Sequence, residues 1–217
     1  MRQHAAARPF TLVELIMVMG VMILLAAVAI PAYSSLFSGR KTTLAANQLN
    51  GAIMEARAHA VSSKVYTALV FVKDSGARGY TRFRMAEVYH NPDTENTSYL
   101  WRRWAPGSSF VLMPENTMVP STDSDLGTTS DGTEGKVGSG SLTKVSNLSN
   151  SGIGGSVSNE RAIIFKPNGQ LAGTGDKNVV VRFVESNRYE ANAGQTPKLP
   201  LNINWLTCKT KFLDPVQ

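Results

Sequence analysis

Phe10-Thr11-Leu12-Val13-Glu14-Leu15 opens a run that continues from Leu15 to Tyr33 as LIMVMGVMILLAAVAIPAY. No charged residue lies between Glu14 and Arg40. The run is apolar on every side of a helical projection, unlike a surface helix with one apolar stripe. About 20 such residues, at about 1.5 Å each, match a bilayer core of about 30 Å. Residues 10–33 are therefore expected to form a membrane-length helix. Pro31 removes a backbone N–H and is expected to kink it near residues 27–31. Ahead of the run, MRQHAAARP carries Arg2 and Arg8 and no acid, a basic leader over residues 1–9. The apolar run exceeds the about 7–15 residues of a secretory signal core, and no A-x-A site follows it. Glu14 is a lone carboxylate at the edge of this helix. Either a helix dipole at head-group level favours it, or it takes a cationic partner.

These residues carry a resemblance. Phe10 to Leu15, followed by the apolar run with Pro31, is similar to the N-terminus of type IV pilins and pseudopilins. The resemblance implies that a prepilin peptidase cuts between Pro9 and Phe10 and that Phe10 is N-methylated. It implies that Glu14 pairs with the Phe10 amine of a neighbouring subunit during filament assembly. One position departs from the family: Pro9 stands where Gly normally precedes the cut. Proline lacks an N–H and fixes φ, which suits a protease subsite poorly.

The helix is expected to continue as an amphipathic segment over 34–63. Leu49, Ile53, Ala56 and Ala60 fall on one apolar stripe. Strands are expected at Tyr66–Lys73, Thr81–Val88, Tyr99–Trp104 and Phe110–Met113, the first β region of 64–116. Ala162–Lys166, Asn178–Val184, Leu201–Trp205 and Lys209–Leu213 supply a C-terminal β region over 160–217. Between them, 24 of the 43 residues of 117–159 are Gly, Ser or Thr, a composition that reads as a mobile insertion. Asp123, Asp125, Asp131 and Glu134 are the alternative there, a Ca²⁺ loop, although their spacing lacks the EF-hand pattern. The fold class expected is α+β and pilin-like: a long N-terminal helix, its first half membrane-spanning, packed on an antiparallel sheet.

A second resemblance rests on Ile163-Ile164-Phe165-Lys166-Pro167-Asn168-Gly169, the Val-rich strand after it, and Asn204-Trp205-Leu206-Thr207. Together with Leu49–Ala60 these are similar to the general-secretion H-type and FimT-type minor pseudopilins. Relatives carry Thr-Gly in the final turn. Cys208 replaces that Gly here.

No G-x-S-x-G, P-loop, H-E-x-x-H or C-x-x-C occurs, so an enzyme, a cofactor and a metal centre are not expected. The single Cys excludes an intramolecular disulfide. The formal net charge is +6. Arg78, Arg82, Arg84, Arg102 and Arg103 form one basic group and Lys209 and Lys211 another, candidates for nucleic-acid phosphate contact. Some FimT-type relatives bind DNA, so DNA is the alternative partner. The principal expectation is a minor pilin or pseudopilin of a type IV pilus or type II secretion filament. Its expected partners are other subunits, the prepilin peptidase and a membrane, with no small-molecule substrate. It is placed in the bacterial inner membrane with its C-terminal domain in the periplasm.

Overall fold

The computed structural model describes residues 11–74, 79–91, 98–120, 126–129, 137–138, 144–146, 148, 159–172, 178–191, 196 and 198–213. The chain divides into two units, Met1–Arg40 and Lys41–Gln217. Helix α1 is assigned over Leu12–Ser63, through Pro31. Its start is fixed by a reciprocal cap. Thr11 N and Thr11 Oγ1 both donate to Glu14 Oε2 at 3.1 Å, and Glu14 N donates to Thr11 Oγ1 at 3.2 Å. This is the Thr-x-x-Glu capping box, which satisfies backbone N–H groups that no helical carbonyl reaches.

The second unit is mainly strands. β1 (Tyr66–Lys73), β2 (Gly79–Asn91) and β3 (Ser98–Trp104) form an antiparallel meander, with Leu69 opposite Met85 and Ala86 opposite Trp104. β4 (Val111–Leu112) adds to β2. β5 (Thr117–Pro120), β6 (Leu126–Thr129), β7 (Val137–Gly138) and β8 (Lys144–Ser146) follow, then β9 (Asn159–Phe165) and β10 (Leu171–Ala172). β8 runs parallel to β3 and antiparallel to β9, and β9 returns antiparallel to β1. Thus β1, β2, β3, β8 and β9 close into a five-stranded barrel. Its interior draws on all five strands: Ala68, Val70, Val72, Ala86, Val88, Tyr99, Val145, Ala162 and Ile164. Few strands leave a narrow lumen, which accounts for alanine on β1, β2 and β9.

From β2 the sheet runs on through β5 to β11 (Asn178–Glu185), β12 (Leu199–Ile203) and β13 (Thr210–Phe212), with α2 (Ser186–Ala191) after β11. A second core lies between these strands and the later part of α1. Ala45, Leu49, Ile53, Ala56 and Ala60 are fully buried against Phe71, Phe83, Phe165, Phe183, Leu201 and Ile203. The stripe read from the sequence is this buried face. Strand alternation explains the two cores, since Phe83 and Met85 face the helix while Ala86 and Val88 face the lumen. Where β2 begins, a Cβ on Gly79 would sit 2.6 Å from Val119 O and 2.8 Å from Met118 Sδ. Gly79→Ala is expected to cost about 1–3 kcal/mol of stability through this overlap, read from urea unfolding.

Three expectations are corrected. The fold is not one antiparallel sheet under a helix, the pilin-like α+β arrangement; it is a closed barrel, with a parallel β3–β8 pair, extended by a flanking sheet. Residues 117–159 hold β5 to β8 and bury Met118, Val119, Val145 and Leu148. Each of these short strands borrows its hydrogen-bonding partners from a longer neighbour, so Gly/Ser/Thr composition did not preclude it. Finally, among the described residues no helix is long and apolar enough to cross a membrane. The membrane-spanning segment and the inner-membrane placement are overturned by this finding.

Candidate functional site

Pro9 and Phe10 lie outside the described residues, as do Asp123, Asp125, Asp131 and Glu134. Glu14 is exposed, and its Oε2 accepts two of the three bonds of the cap. Around and beyond it α1 exposes Leu12, Val13, Leu15, Ile16, Met17 and Val18, then the same kind of side chain as far as Leu25, each 52–74% exposed. They point in every direction from the helix axis, because nearly every position is apolar.

Arg78 lies outside the described residues, and the other four arginines do not form one surface. Arg82 and Arg84 share the lumen-facing parity of β2 and lie across aromatic rings at one end of the barrel. The Arg82 guanidinium sits 4.9 Å from the Phe110 ring centroid and pairs with Asp74 at 3.3 Å. Arg84 sits 4.7 Å from the Trp104 ring and donates to Ser108 O at 2.8 Å. Trp101 and Trp104 meet edge-on at 6.1 Å. These rings pack against the barrel core, and their arginines cover faces that a nucleic-acid base would need.

Arg102 and Arg103 instead belong to a cluster that sequence reading missed. Glu87, 2% exposed, stands on the helix-facing side of β2. Arg103 grips its carboxylate with bonds of 2.7 and 3.1 Å. Arg102 lies 3.9 Å away, and His59 of α1 brings Nε2 to 3.4 Å. The Arg103 hydrogen bonds hold the Glu87 carboxyl below the usual carboxylate range, against the opposing effect of burial. The signal was an acid amid the apolar residues of a long strand, with two arginines on the next strand; only the β2–β3 register joins them.

A second buried polar group lies where β1, β2 and β9 meet. Burial, with Glu160 next in effect, pushes the Tyr80 hydroxyl up to about 12, and burial raises Glu160 itself. Burial likewise lifts Tyr99 to about 12. Neither tyrosine is poised for proton transfer near neutral pH.

Lys209 and Lys211 are exposed at β13. The turn before them is built on Asn204, whose Oδ1 accepts from Leu206 N at 3.1 Å and Thr207 N at 2.9 Å. Cys208 follows at φ 54°, the left-handed conformation that a glycine adopts without strain. Its Sγ donates to Gly169 O at 3.2 Å, and Arg57 of α1 donates to Thr207 O at 2.7 Å. Burial raises the Cys208 thiol, which opposes thiolate formation. Among the described residues no group of three or more His, Cys, Asp or Glu is placed to hold a metal ion. Comparison of the chain with protein families, characterised proteins and solved structures finds no match.

Proposed function

We propose that the chain is a structural filament subunit, a minor pilin or pseudopilin, assembled by helix packing after cleavage at Pro9–Phe10. The exposed apolar start of α1 carries this reading. Its large side chains present on the order of 1,000 Å² of apolar surface, where the largest patch on a typical monomer is about 300–600 Å². Because the surface surrounds the helix, one partner helix would leave half of it in water. Several neighbours are needed, as in the helical core of a filament built by head-to-tail contacts. The Phe10 to Leu15 motif points the same way.

Glu14 then sets the pairing. A carboxylate enclosed among apolar helices needs a cation to offset its lost hydration. Two substitutions separate this role from capping. Glutamine serves in a capping box and carries no charge. Glu14→Gln and Glu14→Ala are both expected to abolish incorporation into filaments, with the Lys41–Gln217 unit still folded by circular dichroism. Normal incorporation of Glu14→Gln would show that the charge is not needed.

A further inference from the structure

A cavity of about 110 Å³ opens in the second unit, between α1 and the loop after β3. Its floor is Leu69, Phe83 and Met85, on the helix-facing side of β1 and β2. Ala52 and Glu55 of α1 line one side, and Gly107, Ser109 and Val111 line the other.

The loop wall is fixed by its own sequence. In Ala105-Pro106-Gly107-Ser108, Gly107 has φ 75° and Ser108 N donates to Ala105 O at 3.0 Å. Proline second and glycine third are the signature of a type II β-turn. Ser108 Oγ donates to Ala105 O at 2.7 Å, and Arg84 Nη2 donates to Ser108 O at 2.8 Å. A wall tied down in this way spares a ligand the cost of ordering it.

The chemistry of the lining is one-sided. Glu55 is its acid and is exposed, and among the described residues nothing pairs with the Glu55 carboxylate. Arg84 also borders the cavity, but its guanidinium lies on the other face of β2, 4.7 Å from the Trp104 ring and 5.2 Å from the Phe110 ring. An apolar floor beside a single carboxylate suits an apolar molecule with one cationic end. Volume limits its length. Pockets for drug-sized ligands start at about 300 Å³, and a cavity of about 150 Å³ accepts benzene. The space here suits a chain of about four carbons on that scale.

We propose that this cavity binds a short primary alkylammonium, with its chain on the Leu69–Phe83–Met85 floor and its ammonium at Glu55. A lysine side chain and a free short amine share this chemistry. All of the lining belongs to Lys41–Gln217, so the site does not depend on how the first part of α1 assembles.

The test follows the amide spectrum of the ¹⁵N-labelled full chain at neutral pH during titration with n-butylammonium chloride. The Ala52, Gly107 and Ser109 signals are expected to shift and saturate with a Kd on the order of 1 mM, the scale open to so small a ligand. Methylammonium, which lacks the chain, and n-butanol, which lacks the charge, should each bind at least tenfold more weakly. Glu55→Gln should weaken n-butylammonium at least tenfold with the fold unchanged by circular dichroism, since the position is exposed. Acetyl-lysine amide separates the two sources. Tighter binding than n-butylammonium assigns the site to a lysine side chain, and weaker binding assigns it to a free amine. Absence of saturable shifts with both probes would overturn the proposal. So would n-butanol or methylammonium binding as well as n-butylammonium, or an unchanged Kd in Glu55→Gln.

Discussion

Glu87→Ala is expected to lower Tm by about 5–10 °C. Glu87 is enclosed between α1 and the β2–β3 pair, and it is the acid on which Arg103, Arg102 and His59 converge. Its removal leaves three cationic or ionisable groups facing one another, a costlier outcome than loss of one hydrogen bond. The loss stays moderate because the Arg102 and Arg103 side chains reach solvent and can rehydrate. The pH dependence follows in sign. The folded-state pKa of Glu87 lies below its unfolded value, so its contribution is present in full above about 4.5. It is lost as pH falls through the folded pKa. Thermal melts from pH 7 to 3 should show wild type losing this contribution on acidification. Glu87→Gln should lack that part of the slope. Equal slopes in the two proteins would mean that Glu87 is already protonated or unpaired in the fold.

Val21→Lys is expected to reduce filament incorporation by more than 100-fold with no change in the folding of the second unit. Val21 is 52% exposed, so lysine there is tolerated in a free chain. Once neighbouring helices enclose α1, the same ammonium is taken out of water with no acid at its level, and several kcal/mol per ion is the usual cost. The penalty recurs in every subunit added.

Much of the local structure could be read from residue order. The Leu49–Ala60 stripe lies on the core, and strand alternation put Phe83 and Met85 on one face of β2 and Arg82 and Arg84 on the other. Closure of the barrel was not legible. It depends on β8, three residues inside a Gly/Ser/Thr-rich stretch, pairing in parallel with β3. No local pattern specifies so short a strand. The basic group was misread because the strand register, and not the residue order, decides which acid or ring each arginine meets. Arg82 and Arg84 close a barrel end, while Arg102 and Arg103 neutralise Glu87. The Thr11–Glu14 cap is legible in the Thr-x-x-Glu spacing, which specifies a helix start independently of the charge of Glu14. The membrane-length expectation rested on counting apolar residues. That count does not distinguish a bilayer from a bundle of neighbouring helices as the cover for the same side chains.

What covers Leu12–Ala27 is therefore the decisive question, and negative-stain electron microscopy of the full chain beside Val21→Lys addresses it directly. Filaments of uniform diameter from the wild-type chain and none from Val21→Lys are the expected result. Discrete single subunits from the wild-type chain, or shapeless aggregates from both, would contradict assembly through α1.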